Sequence, residues 1–172
     1  MEHKHLHFAF LDTQLGWMLA AATEQGICLL EFIVRAPIDW RLKQLSEMLK
    51  MPLDGGDNIH IHALQEQLCH YFNGTRRDFD IPCVLIGTEF QKKVWNSLLQ
   101  IPYGSTITYA QQAAQIGKPT AIRAVANANG QNKISILLPC HRVIGTDGTL
   151  RGYAGNLWRK QKLLELESNP LT

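Results

Sequence analysis

The pentapeptide Pro139-Cys140-His141-Arg142-Val143 sets a thiol beside an imidazole and a guanidinium, directly after the apolar run Ile134-Ser135-Ile136-Leu137-Leu138. A thiol near its free pKa of about 8.5 is mostly protonated at neutral pH, so a cysteine used for chemistry needs a base or positive neighbours within reach. His141 offers the first and Arg142 the second. The apolar run reads as a buried strand that delivers Cys140 at its end. An isolated cysteine is usually a small core hydrophobe. Cys28 and Cys83, flanked by aliphatic residues, are read that way, and Cys69, beside His70 on a predicted helix, is read as structural. Cys140 is different because His and Arg follow it where a core strand wants apolar residues.

A second anomaly lies near the end of the chain. Leu163 and Leu164 mark the apolar face of a helix predicted from Leu157 to about Leu166, and Glu167 falls on that same face if the helix runs one residue further. A core-facing carboxylate needs a partner. His141 is the natural one, since a carboxylate behind an imidazole orients it and favours the imidazolium formed when it takes a proton from Cys140.

These residues must be positioned by the rest of a 172-residue chain, long enough for one sizeable core or two packed subdomains. An apolar share of 45% and four cysteines without a C-x-x-C pair predict a reduced, intracellular protein, not a disulfide scaffold or zinc ribbon. No metal and no cofactor is expected. The polar start, Met1 to His7, reads as neither a signal peptide nor a membrane span. His3, His5 and His7 would share one face of a strand and could bind metal, but a polar, frayed terminus is the preferred reading. The net charge of +2 conceals an asymmetry: residues 1–89 carry 7 basic and 12 acidic side chains, residues 90–172 carry 10 and 3. A basic second half is suited to meet a polyanion.

The fold expected is α+β. Strands near 6–11, 16–22 and 27–32, separated by turn residues, form an antiparallel meander. Helices follow near 38–49 and 59–72, with 51–57 as a loop between them. A boundary near Gly87 divides an α+β domain, 1–86, from a mostly helical domain, 87–172. In the latter, Thr88 with Gln91 and Thr108 with Gln111 are capping boxes. The first opens a helix that ends before Pro102, the second a helix from Tyr109 to Ile116 closed by Gly117. Another helix, from Thr120 to about Ala128, completes a helix-turn-helix. On it Ile122, Val125 and Ala126 share one side, and Thr120, Arg123, Ala124 and Asn127 the other. That second side is small except for one arginine, which suits close approach to a minor groove with one cationic side chain inserted. Tyr109 is placed to touch phosphate or base, or else to be a buried aromatic.

The stretch from Asn132 to Val143 resembles the active-site motif of the methylated-DNA–protein-cysteine methyltransferases, the O6-alkylguanine-DNA alkyltransferases. The resemblance extends to Thr13-Gln14-Leu15-Gly16, Tyr71-Phe72-Asn73-Gly74, Gly87 to Gln91 with Val94-Trp95, Ile101-Pro102-Tyr103-Gly104, Thr108-Tyr109, Ala121 to Val125 and Gly152-Tyr153-Ala154-Gly155. It implies an RNase H-like first domain with an antiparallel sheet, and a helix-turn-helix second domain that enters the minor groove of double-stranded DNA and flips the damaged guanine into a pocket. Cys140 would be the alkyl acceptor, His141 its base, Glu167 the end of the relay and Asn132 the brace of the active-site turn. Arg123 would fill the gap left by the flipped nucleotide, and Tyr109 would assist its rotation and give a proton to the departing base. Thr120, Ala121, Ala124 and Asn127 would complete the DNA contacts, with Val143, Tyr153 and Ala154 lining the guanine pocket. O4-alkylthymine is a further candidate substrate. The implied protein is a cytoplasmic monomer that acts once per molecule, because no second nucleophile releases the thioether.

Two positions depart from the family pattern. Lys133 stands where Pro usually follows the hinge Asn, and Asn127 replaces a small residue on the groove-facing helix. Both leave the chemistry in place and bear on DNA affinity and on the rigidity of the turn. The zinc site of some vertebrate members has no matching residues. A non-catalytic alkyltransferase-like protein would carry Trp in place of Cys140. A helix-turn-helix regulator would leave Cys140, His141 and Glu167 unexplained, and a papain-like hydrolase has its His far from its Cys in sequence.

Overall fold

The computed structural model describes residues 4–34 and 37–169, so His3 of the alternating histidines lies outside the described residues. Contacts divide the chain into two compact units, Met1–Val84 and Leu85–Thr172.

In the first unit β1 (Leu6–Leu11), β2 (Met18–Thr23) and β3 (Gly26–Phe32) form the antiparallel meander. Every residue of β2 is buried, because this strand lies inside the sheet and its alanines and Met18 face packed neighbours on both sides. Gly26 makes the β2–β3 turn at φ +147°, and a Cβ there would lie 2.2 Å from the Pro82 carbonyl oxygen. The helix α1 (Ile38–Leu49) buries Leu42 and Leu45, and α2 (Ile59–Phe72) buries Ile61, Leu64, Leu68, Tyr71 and Phe72. Asn58 caps α2 by accepting hydrogen bonds from the backbone of His60 and Ile61.

Three expectations need correction here. The segment read wholly as a loop contains β4 (Leu53–Asp54), which pairs parallel to β1 and makes the sheet mixed, in the order β3-β2-β1-β4. Two residues are too few to show a period. Cys69 is exposed on α2, and Cys83 is only half-buried; Cys28 is in the core.

The second unit begins with α3 (Glu89–Leu98), opened by the Thr88–Gln91 capping box. Trp95 is buried on it and donates from Nε1 to the Ala128 carbonyl at 2.7 Å, fixing α3 against α5 (Ile122–Gly130). Thr108 and Gln111 form the second box, at the start of α4 (Tyr109–Gln115). Gly117, at φ +71°, ends α4 in a Schellman motif, with Gly117 N bonded to Ala114 O at 2.9 Å and Lys118 N to Ala113 O at 2.9 Å. A buried amide pair, Asn129 Nδ2 to Gln112 Oε1 at 2.6 Å, locks α4 to α5. β5 (Ile107–Thr108) pairs parallel to β6 (Val143–Ile144), and α6 (Leu157–Ser168) closes the unit.

The helix α5 starts two residues later than the sequence suggests. Ala121 N bonds to Lys118 O at 2.8 Å and closes a turn, leaving Thr120 ahead of the helix. Its buried face is Val125, Ala128 and Asn129, whereas Ile122, expected inside, is 41% exposed.

Candidate active site

The apolar run before Cys140 is not a strand. It coils through turns in which Ile136 adopts φ +72°, a costly conformation for a β-branched residue. Strand pairing is replaced by the buried side chain of Asn132. Its Oδ1 accepts from Ile134 N at 2.9 Å, and its Nδ2 donates to Leu138 O at 2.9 Å and to Cys140 Sγ at 3.3 Å. Cys140 therefore begins a one-turn 3₁₀ helix, Cys140–Arg142, with its sulfur already engaged.

Burial pushes the Cys140 thiol above its ordinary range; the Asn132 hydrogen bond and the positive charge of Lys160 pull the other way. At neutral pH the resting sulfur is a thiol, not a standing thiolate. No hydrogen bond joins it directly to His141. The His141 ring is fully buried and Nε2 lies 2.8 Å from Glu167 Oε1, while Nδ1 has no protein partner. Burial, countered by Glu167, keeps the imidazole below its usual range and hence neutral. Burial alone would raise Glu167, but the hydrogen bonds from His141 and Arg142 hold it down at about 2. An ionised carboxylate assigns the ring proton to Nε2 and leaves Nδ1 as the basic nitrogen.

Arg142 does not serve Cys140 as its cation, contrary to the sequence reading. Its Nε and Nη2 fork onto Glu167 at 2.9 and 3.0 Å, and Nη1 donates to Ile101 O at 2.6 Å. Gly104 N donates to Glu167 Oε2 at 3.2 Å; with φ +75°, a Cβ on Gly104 would lie 2.8 Å from the Glu167 carbonyl oxygen.

The cation that bears on the sulfur is Lys160. Sequence reasoning passed over this residue, although it lies three residues before Leu163 and seven before Glu167, on their helix face. It is fully buried. Tyr109 is buried too, its phenol donating to Arg151 O at 2.9 Å. Burial and the neighbouring sulfur push that phenol up to about 12. Val143 is buried on β6, Tyr153 half-buried and Ala154 exposed, the last two in the loop before α6. On α5, Arg123, Ala124 and Asn127 are exposed, as is Thr120 ahead of it, with Ala121 half-buried. Lys133 Nζ donates to Ile86 O at 3.4 Å, so the residue after Asn132 is tethered by its side chain. Among the described residues no group of three metal-ligating side chains converges.

The second unit therefore combines a buried thiol, the buried Glu167–His141–Arg142 array and the helix pair α4–α5, which is the class of a helix-turn-helix protein with a buried polar cysteine site. Residues 6–85 match the ribonuclease-like domain of 6-O-methylguanine DNA methyltransferase, and residues 89–169 match its DNA binding domain. The methylated-DNA–protein-cysteine methyltransferase of Methanosarcina barkeri is 40% identical over 167 residues, 96% of this chain and 99% of that protein. The Mycobacterium tuberculosis protein of the same name is 54% identical over 104 residues, 60% of this chain and 63% of its own. The crystal structure of Mycobacterium tuberculosis O6-methylguanine methyltransferase matches with TM-score 0.80 at 38% identity, covering 98% of this chain and 96% of that one. The structure of the same organism's OGT in complex with DNA matches with TM-score 0.81 at 39% identity, covering 94% and 92%. The chain belongs to the 6-O-methylguanine DNA methyltransferase family.

Proposed function

We infer that Cys140 is the residue on which this methylated-DNA–protein-cysteine methyltransferase collects the alkyl group when it repairs O6-alkylguanine in DNA. The observation that carries the assignment is the buried array in which Asn132 binds the sulfur and Glu167 binds a neutral His141. The thiol proton passes to Nδ1 of His141, and Glu167 stabilises the imidazolium. Sulfur attacks the saturated O6-alkyl carbon in line, the C–S bond forms as C–O6 breaks, and the electron pair stays on the guanine. Tyr109 supplies the proton that neutralises the departing base. The thioether on Cys140 is stable, so each molecule acts once.

The alkyl carbon is inaccessible in stacked duplex, so the nucleotide is extruded. The protein binds double-stranded DNA from the minor groove. Arg123 fills the vacated space, flanked by Thr120, Ala121, Ala124 and Asn127, and Val143, Tyr153 and Ala154 line the guanine pocket. The exposed side of α5 supports this reading in part: Ala124 and Asn127 are short beside Arg123 and permit close approach, whereas Ile122, 41% exposed, adds a bulky apolar side chain at its start. The protein works as a monomer in the reducing cytoplasm. Its four free cysteines suit that compartment, and among the described residues no helix is long and apolar enough to cross a membrane.

The test is direct. After incubation with duplex DNA containing O6-methylguanine, peptide mapping by mass spectrometry should find the methyl on Cys140, at no more than one per molecule. Turnover beyond one equivalent, or repair with Cys140 unmodified, overturns the assignment.

A further inference from the structure

Residues 90–172 carry three acidic side chains, and each has a different partner. Glu167 belongs to the buried array, and Glu165 accepts from Lys162 on its own helix. Asp147 is exposed on the loop between β6 and α6, where it holds an arginine. Its Oδ2 accepts from Arg151 Nη2 at 2.8 Å, and its Oδ1 from Thr149 N at 3.1 Å and Thr149 Oγ1 at 2.7 Å. Arg151 Nε donates in turn to Thr149 Oγ1 at 3.1 Å. The Thr149 hydroxyl, and after it the guanidinium, hold the Asp147 carboxyl well below its ordinary range, so the pair is charged at neutral pH. It is seated on Gly145: a Cβ there would lie 2.6 Å from Asp147 Oδ1 and 3.1 Å from Arg151 Nε.

An exposed ion pair of this kind contributes little to stability, so what it fixes is direction. The Nε–Nη2 edge of the guanidinium faces Thr149 and Asp147, and Nη1 has no partner among the described residues. The backbone of Arg151 is fixed as well. Its carbonyl accepts from Tyr109 Oη at 2.9 Å and from Lys160 Nζ at 2.8 Å. A surface arginine is thereby anchored one hydrogen bond from the tyrosine assigned above to nucleotide rotation. A planar guanidinium with open N–H bonds matches the geometry of a phosphate.

We propose that Arg151 is a DNA-backbone contact of this protein, its Nη1 edge taking the phosphate beside the extruded nucleotide while Asp147 and Thr149 hold the other edge. The proposal rests on duplex DNA being bound through α5 and Tyr109, as inferred above. Asp147 aims the side chain, but its own negative charge opposes the phosphate. The two halves of one ion pair therefore act on DNA with opposite sign.

The test measures the affinity of wild type, Arg151→Met, Arg151→Lys and Asp147→Ala for a duplex containing O6-methylguanine, from about 50 to about 200 mM salt. In Arg151→Met the slope of log affinity against log salt should become shallower by about one, so that its deficit narrows about 3.5-fold across that range. Arg151→Lys should keep the slope and lose part of the affinity, since an ammonium keeps the charge without the fork. Asp147→Ala should bind more tightly than wild type, with a slope no shallower. All three substitutions are at exposed positions, and thermal melts check that the variants are folded. Equal weakening by Arg151→Met and Asp147→Ala would show that the pair acts only through the shape of the loop, and would reject the proposal. An unchanged slope in Arg151→Met, or a slope lost in Arg151→Lys as well, would also reject it. Wild-type protein without affinity for the duplex would instead sink the DNA-binding reading on which the proposal rests.

Discussion

Arg142 and Glu167 are joined inside the protein by a forked ion pair, Nε to Oε2 at 2.9 Å and Nη2 to Oε1 at 3.0 Å, and the same Oε1 receives His141 Nε2. The carboxylate serves two ends at once. Arg142 helps keep it ionised, which gives His141 a fixed anion to lean on in the proposed step where the imidazole takes up a proton. In the proposed relay, the polar residue after His141 is thus a support at one remove from the sulfur.

Replacing Glu167 by Gln should therefore do two separable things. It leaves the Arg142 guanidinium buried without its counter-charge, a loss of about 3–5 kcal/mol in urea unfolding. It also removes support for the imidazolium, slowing single-turnover transfer by roughly 10²-fold. Adding Arg142→Met should recover part of the stability and none of the rate. Recovery of both together would show that the carboxylate acts only as a structural anchor.

The same carboxylate sets the acid limit of the fold. Glu167 titrates at about 2 when folded against an ordinary 4.5, so below 4.5 the unfolded chain binds the additional proton. Its contribution is fully present above about pH 4.5 and is lost as pH falls towards 2, on the order of 3 kcal/mol in all. His141, held below its ordinary 6.5, acts in the same direction, since the unfolded ring protonates first on acidification. Urea midpoints measured from neutral pH downward should fall through these two windows, and the lower step should vanish in Glu167→Gln.

Asn132 holds the turn and touches the sulfur with one amide. Asn132→Ala removes the acceptor for Ile134 N and the donor to Leu138 O and Cys140 Sγ, leaving buried backbone groups unpaired. The expected cost is about 2–4 kcal/mol, from groups worth 1–3 each. The Cys140 titration should also move upward, because the hydrogen bond that favours the thiolate is gone. A thermal melt and a thiolate titration on the same sample check both parts.

What could be read from the sequence follows from the range of the forces involved. The bounds of α1 and α2, both capping boxes and the Gly117 stop were legible because they depend on residues within one or two turns. Glu167 was legible as an apolar-face carboxylate, since one period places it with Leu163. The coil of 134–138 was not, because five apolar residues look alike as strand or turn. A single side chain, Asn132, supplies the bonds that a neighbouring strand would have supplied. Lys160 was missed for a related reason: a lysine on a helix is ordinarily solvated, and only carbonyls brought from Val143 and Arg151 make its burial tolerable. The role of Arg142 depended on Glu167 arriving from a helix 25 residues further along the chain.

Chemistry is separable from base extrusion at α5. Arg123 is exposed on α5, so its truncation should leave stability within about 0.5 kcal/mol of wild type. If its side chain fills the space vacated by the flipped nucleotide, Arg123→Ala loses compensation for unstacking, which costs a few kcal/mol. Repair of O6-methylguanine in duplex DNA should then slow by roughly tenfold or more. Reaction with free O6-benzylguanine, which needs no flipping, should stay within about twofold of wild type, since Cys140, His141 and Glu167 are untouched. Side-by-side single-turnover rates on the two substrates decide the matter: equal slowing of both would place Arg123 in the transfer step or in the fold, and would remove the basis for reading α5 as the element that props the duplex open.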